Sequence, residues 1–175
     1  MNQKLQCNVR LANAMKEASH QCELITQLML NDRAELLEDG AIWINIKIAF
    51  NGTEAWVLKA QFDQISEEQF LMQPNGICDV YTFEDQKFSH LLPGTFVFEK
   101  NDQIKLVSSD HRIRNEENIK RIVLSFLDTP YMWGGISNNG IDCSGLSLML
   151  YRYLGIPLTS FAAEQFNQGT VLDFL

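Results

Sequence analysis

Between Leu24 and Leu58 apolar and polar residues alternate with a period of two, broken at Asp39-Gly40 and again at Asn51-Gly52. Both dipeptides suit the positive-φ backbone of a tight hairpin turn. The pattern predicts strands over Ala34 to Glu38, Ala41 to Phe50 and Thr53 to Leu58. In the middle strand Ile42, Ile44, Ile46, Ile48 and Phe50 share one face, and Trp43, Asn45, Lys47 and Ala49 take the other. That is the signature of a half-buried antiparallel strand. The expectation is an antiparallel meander from about Glu23 to Leu58, with no helix anywhere in Ala41 to Phe50. A further hairpin reads from Phe96-Val97-Phe98 through Lys100 to Gln103 into Ile104 to Val107, after the turn Leu92-Pro93-Gly94.

The period changes after His111. Asn115 suits a helix N-cap, Glu116 and Glu117 suit the first turn, and Ile119, Ile122, Val123, Phe126 and Leu127 follow helical spacing. Pro130 holds its predecessor out of the helical region, so this amphipathic helix ends by Thr129. A glycine-rich stretch runs from Tyr131 to Gly140, and a second helix from about Asp142 to Leu154. It is closed by Gly155 and Pro157. A third short helix reads from Ala162 to Asn167. The fold class is therefore α+β: a strand-rich portion over 1–110 and a helical portion over 111–175.

Composition narrows the function. The 175 residues carry 14 Lys+Arg against 22 Asp+Glu, a formal net charge of -8, and show no basic patch. Coating a nucleic acid is excluded on that balance. The longest uncharged apolar stretch, near Leu146 to Tyr151, is far short of the ~20 residues of a membrane span, and Met1 to Asn8 has no apolar signal core. The expected location is the cytoplasm, or the periplasm if a signal peptide has been removed. Cys7, Cys22, Cys78 and Cys143 are separated by 15, 56 and 65 positions. That spacing matches neither a metal pair nor a dense disulfide framework, and no metal or cofactor is expected. The acidic pairs Glu67-Glu68 and Glu116-Glu117 read as solvated turns or helix starts, and Trp43 with Trp56 as cross-strand packing.

The sharpest constellation is Gly140-Ile141-Asp142-Cys143-Ser144-Gly145. If Asp142 caps the second helix, Cys143 lies in its first turn, where free amide N–H groups and the helix dipole favour a thiolate. Gly145 lets another backbone approach the helix start, and Tyr131 brings a hydroxyl to the same loop.

Thr129-Pro130-Tyr131-x-Trp133-Gly134-Gly135-x-Ser137-x-x-Gly140-x-Asp142-Cys143-Ser144-Gly145 resembles the nucleophile motif of the NlpC-type cell-wall cysteine peptidases. The strand-rich half, through Glu23-Leu24-Ile25-Thr26-Gln27 and Glu54-Ala55-Trp56-Val57, is similar to the bacterial SH3-like small β-barrel that precedes the peptidase in γ-D-glutamyl-diamino acid peptidases of the dipeptidyl-peptidase VI type. The resemblance implies the first part of a papain-like domain in which Cys143 attacks an amide carbonyl. The substrate it implies is a murein peptide, L-Ala-γ-D-Glu-diamino acid, cleaved after the γ-D-glutamyl unit. It further implies that the Tyr131 hydroxyl helps hold the oxyanion, that Asp142 and Ser144 contact substrate, that Trp133 shapes the wall, and that Glu23 meets the substrate's free amino end.

Two departures stand out. Where the family has an arginine that reads the D-glutamyl carboxylate, this chain has Ser160 in Leu158-Thr159-Ser160-Phe161, and a serine cannot replace a bidentate guanidinium. The family's base histidine follows the cysteine helix, whereas His20, His90 and His111 all precede Cys143 and none matches it. The expectation is a truncated enzyme, inactive as it stands. The rival readings are a non-catalytic binding protein for cell-wall peptide fragments and an acyl-transfer enzyme using the same cysteine. With the family's antiparallel sheet missing, Leu146, Leu148, Met149, Leu150 and Leu154 are expected to include residues exposed or covered by another chain.

Overall fold

The computed structural model describes residues 2–79, 91–98 and 115–170, together with the backbone of 106–108. Seven strands come first: β1 (Lys4–Cys7), β2 (Leu11–Met15), β3 (Leu24–Met29), β4 (Arg33–Asp39), β5 (Trp43–Ile48), β6 (Glu54–Leu58) and β7 (Phe62–Ile65). They form one antiparallel sheet in the order β3-β2-β6-β5-β4-β1-β7. The β4-β5-β6 meander and its two turns are as the alternation predicts, with Gly52 at φ +76.

The meander does not extend back to Glu23. β3 pairs with β2, and β4 pairs with β1. Between β3 and β4 the chain turns at Asn31 (φ 70), and the Asp32 carboxylate accepts the Met29 N–H at 2.9 Å. This corner sends β4 to the far side of the sheet. Local pattern announces the turn but cannot say which strand lies opposite. Ile44, Ile46 and Ile48 are buried as read, whereas Ile42 precedes β5 and is 67% exposed.

Leu5 of β1, Ala14 of β2, Leu28 of β3, Ala34 of β4, Ile46 of β5, Val57 of β6 and Phe62 of β7 belong to one buried cluster. Seven strands laid flat would span about 29 Å at ~4.8 Å per neighbour, too wide for both edges to feed one cluster. The sheet must curl around this core. Each large aliphatic side chain so buried contributes about 1.5–3 kcal/mol.

A short helix α1 (Glu67–Leu71) follows, capped by Ser66 and Gln69 in reciprocal hydrogen bonds. Then β8 (Gly76–Cys78), β9 (Phe96–Val97) and β10 (Leu106–Ser108) form a small sheet in the order β10-β8-β9. The predicted hairpin between Phe96 and Val107 is corrected here, because β8 lies between its two arms and pairs with both. Its turn at Lys100 to Gln103 lies outside the described residues.

Helix α2 (Glu116–Leu124) begins at Asn115, whose side chain accepts the Asn118 N–H. The two-stranded ribbon β11 (Ile136–Ser137) and β12 (Gly140–Ile141) leads into α3 (Cys143–Tyr153), and α4 (Ala162–Gln168) closes the described chain. Among the described residues no helix is long and apolar enough to cross a membrane. Of the α3 residues expected to lack cover, Leu148, Met149 and Leu154 are buried, and Leu146 and Leu150 are half-buried. Leu146, Leu148, Met149 and Leu150 are covered from within the chain, since Met29, Ile77, Leu92, Ile122 and Phe126 share their cluster. Helix α2 and the turn after it do carry exposed apolar residues. There Ile122 and Phe126 point inward but Val123, Leu124 and Leu127 face outward, so the predicted α2 stripe is narrower than the spacing implied.

The C-terminal end of α3 is pinned by Arg152. Its guanidinium lies 2% exposed, forms a two-pronged ion pair with buried Asp32, donates from Nε to the Gly94 carbonyl at 2.8 Å and stacks over Phe96. Tyr153 donates its hydroxyl to the Cys78 carbonyl at 3.2 Å. Burial pushes the Tyr153 phenol well above its ordinary range.

Candidate nucleophile site

The cysteine loop is built by backbone pairing before any catalytic side chain is involved. Tyr131 bridges Ile141 in parallel, Met132 donates to the Ile141 carbonyl at 3.1 Å, and Ile141 donates to the Pro130 carbonyl at 3.1 Å. Close backbone approach requires glycine in the loop and at the helix start. Gly134 sits at φ +72, and a Cβ there would lie 2.6 Å from the Leu24 carbonyl oxygen. A Cβ at Gly145 would lie 2.0 Å from the Gly135 oxygen. The helix start and the loop are therefore in backbone contact, and the loop rests on the first residue of β3.

Asp142 joins these parts. Its Oδ1 accepts the Gly145 N–H at 2.7 Å and the Ser144 hydroxyl at 2.9 Å, while Oδ2 accepts the Gly134 N–H at 2.7 Å. One buried carboxylate thus caps α3 and fixes the glycine loop, with three donors in place of a counter-cation. Asp142 and Ser144, expected to face substrate, spend these contacts on each other and on the backbone.

Cys143 is the first residue of α3 and is exposed, in contrast to Cys7 and Cys78, which are buried, and Cys22, which is half-buried. Burial pushes the Cys7 thiol up to about 12. Cys22 is held in a small loop, its sulfur hydrogen-bonding with the Glu17 N–H and carbonyl. Exposure at a helix start therefore separates Cys143 from the other three thiols.

Tyr131 and Trp133 are 69% and 62% exposed on the segment bridged to Ile141. Glu23 stands one residue before the Leu24 contact to Gly134, and its carboxylate is 3.1 Å from the Lys16 ammonium in an exposed pair. That hydrogen bond raises the Lys16 pKa. His20 packs edge-on against Trp43 with ring centroids 4.8 Å apart. His90 and His111 lie outside the described residues.

Sequence reading missed three supports. Gln27, in β3 and buried, accepts the Ile136 N–H at 3.3 Å through Oε1 and donates to Asn13 through Nε2 at 2.9 Å. Gln165 of α4 donates to the Ser144 carbonyl at 3.0 Å and the Thr159 carbonyl at 2.8 Å. Ser160 is buried, with its hydroxyl 3.2 Å from Asn51 Nδ2 and 3.1 Å from Thr53 Oγ1. Position 160 thus faces the β5–β6 turn, where it joins the curled sheet to the segment after α3. A glutamine inside the apolar run Leu24–Met29 was the one signal available, because a buried amide needs partners.

Residues 128–172 match the model of the NlpC/P60 family. Dipeptidyl-peptidase 6 of Lysinibacillus sphaericus is 35% identical over 77 residues, covering 37% of this chain and 28% of that protein. A γ-D-glutamyl-L-lysine dipeptidyl-peptidase of Bacillus cereus is 32% identical over 80 residues, covering 46% of this chain and 22% of that protein. The alignments thus span about a quarter of the length of these curated relatives. An NlpC/P60 family protein from Bacillus cereus superposes with a TM-score of 0.73 at 16% identity, covering 97% of this chain and 78% of that structure. An NlpC/P60 endopeptidase from Photobacterium damselae superposes with a TM-score of 0.69 at 16% identity, covering 94% and 45%. The mixed α/β architecture with its large antiparallel sheet is similar to the fold of these proteins.

Proposed function

We propose that this chain carries the nucleophile half of a cell-wall cysteine peptidase, with Cys143 as the attacking thiolate and a γ-D-glutamyl peptide such as L-Ala-γ-D-Glu-L-Lys as substrate. The observation that carries the reading is the exposed Cys143 at the start of α3, held by the three-donor clamp on Asp142. The family match over 128–172 and the names of the relatives supply the substrate class. The curled seven-stranded sheet is assigned as a bacterial SH3-like domain within 1–110, and 111–175 as the beginning of the peptidase domain.

In the proposed step the Cys143 sulfur attacks the γ-carbonyl carbon and the carbonyl electrons move to oxygen. The C–N bond then breaks as the departing amine takes a proton from solvent water, and the hydroxide so formed hydrolyses the remaining thioester to the free acid and the Cys143 thiolate. The Tyr131 hydroxyl is assigned to the oxyanion, a role worth about 2.7–4 kcal/mol for a preorganised donor. Asp142 is assigned to holding the loop, Ser144 and Trp133 to lining the substrate path, and Glu23 to the amino end. No residue of this chain is assigned as the base, and general acid-base help is worth about 100 to 10,000-fold. The 175-residue chain is therefore expected to bind and to be alkylated at Cys143 without turnover. Chromatographic assay of L-Ala-γ-D-Glu-L-Lys with this chain and with Cys143→Ala tests the assignment. Turnover abolished by the substitution would show that a base has been overlooked. Cleavage that survives it would overturn Cys143 as nucleophile.

A further inference from the structure

At the opposite end of α3 from Cys143, about 16 Å away at 1.5 Å per residue, a cavity of about 370 Å³ opens between the curled sheet, α1 and the small sheet. Its volume lies in the range of small-molecule sites. Phe50, Phe70, Phe96 and Phe98 line it, and Gly155 and Pro157 close it from the end of α3.

Two charged residues face this space, and they differ. Asp32 is neutralised by the two-pronged pair with Arg152. Arg33 has no carboxylate partner among the described residues. Its Nη1 donates to the Phe70 and Met72 carbonyls, which ends α1, and its guanidinium lies 3.7 Å above the Phe98 ring. Nε is buried with no hydrogen-bond partner, and the described hydrogen bonds of this guanidinium all come from Nη1. Nη2 is neither among the buried atoms nor hydrogen-bonded, so it is the nitrogen left to meet a carboxylate oxygen in a charge-assisted bond. Desolvation lowers the Arg33 pKa, as expected for a cation whose charge is not offset by a neighbouring anion.

We propose that this cavity binds a small carboxylate with an aromatic or branched apolar body, the carboxylate meeting Nη2 of Arg33 and the body lying among the four phenylalanines. The site is separate from the cysteine loop and does not rest on the peptidase reading. Arg152 links the two, because it stacks on Phe96 of the cavity wall and belongs to the helix that begins with Cys143.

Calorimetric titration of the 175-residue chain with 3-phenylpropionate, 3-phenylpropylamine and acetate tests the proposal. The acid should bind saturably with one-to-one stoichiometry, and the amine and acetate at least about tenfold more weakly. Arg33→Gln should weaken the acid by about tenfold or more. Because Arg33 also ends α1, a second variant guards against misfolding: Ala49→Trp, at an exposed wall position, should block binding while leaving Arg33 in place. Cys143→Ala should bind as the parent does. Equal affinity for acid and amine, binding that survives both Arg33→Gln and Ala49→Trp, loss of binding in Cys143→Ala, or no saturation with the acid would each overturn the assignment.

Discussion

Each end of α3 rests on a buried aspartate, and the two aspartates are satisfied by opposite chemistry. Asp142 at the first end takes two N–H groups and a hydroxyl, all neutral and all within residues 134–145. Asp32 at the other takes the Arg152 guanidinium, from a residue 120 positions away, and the Met29 N–H. The difference matches the tasks. Neutral donors fix the loop geometry around Cys143 without placing a counter-cation next to the thiol, whereas the ion pair docks the helix onto the curled sheet. Removing one member of a buried ion pair leaves its partner unpaired in a low-dielectric interior, so the Arg152 end should be the more fragile.

The largest expected effect breaks that end. Asp32→Ala strands the Arg152 guanidinium and should cost about 3–5 kcal/mol, read from the urea unfolding midpoint. The double change Asp32→Leu with Arg152→Met should recover much of it, since apolar residues of similar volume avoid the desolvation cost. If the single change costs under about 1 kcal/mol, water reaches the pair and the contrast between the two ends fails.

Breaking the other end has a smaller expected effect. Gly145→Ala gains about 1 kcal/mol of helix propensity but drives a Cβ to 2.0 Å from the Gly135 oxygen. A net loss of about 2 kcal/mol is expected, as for overpacking elsewhere, together with a changed rate of Cys143 alkylation. A stabilised variant would show that the loop moves aside freely, and with it the case for a rigid clamp on Asp142 would fall.

The Cys143 end was legible in the sequence for the same reason that it is built from neutral local donors. The cap Asp142, the cysteine, and the glycines at 134 and 145 lie within twelve residues, and helix capping and close backbone approach are local rules. The Arg152 end was not legible. Nothing near Arg152 in sequence names Asp32 as its partner, and the same blindness affected β3, whose neighbour is β2 and not β4. It also hid β8 between the arms of the expected hairpin and gave Ser160 no visible link to Asn51 and Thr53. Alternation reports which face of a strand is buried and turns report where it ends, but pairing across the fold depends on tertiary packing.

Alkaline titration sharpens the comparison further. Tyr153, beside Arg152, has its phenol raised by burial, and Cys7 in the sheet core is raised to about 12 from 9.0. A folded-state pKa above the unfolded one means that, as pH climbs between the two, the unfolded chain has already released its proton and the folded chain has not. Stability is thus complete below the unfolded value and is lost on the way up. Cys7 alone should remove about 1.4 kcal/mol per pH unit from about pH 9. Tyr153 adds a loss of the same sign above about pH 10. Cys7→Ala, followed by chemical unfolding from pH 8 to 11, should remove the part of the slope that begins near pH 9 and leave the part that begins near pH 10. A stability independent of pH across that range would mean that neither group is as enclosed as its surroundings indicate.

The smallest expected effect concerns Cys143 itself. It is exposed, its described contact is the Ser147 hydroxyl on its backbone carbonyl, and alanine is the better helix former. Cys143→Ala should therefore change stability by no more than about 0.5 kcal/mol, while iodoacetamide labelling followed by peptide mass mapping should lose its dominant site. In the parent chain Cys7 and Cys78 should label only after unfolding, and Cys22 more slowly than Cys143, because its sulfur is tied to the Glu17 backbone. A destabilisation well beyond 1 kcal/mol would make the thiol a packing element. In that case the geometry at this end of α3 would serve the fold, as it does at the Arg152 end, and the difference in chemistry between the two aspartates would no longer mark a difference in task.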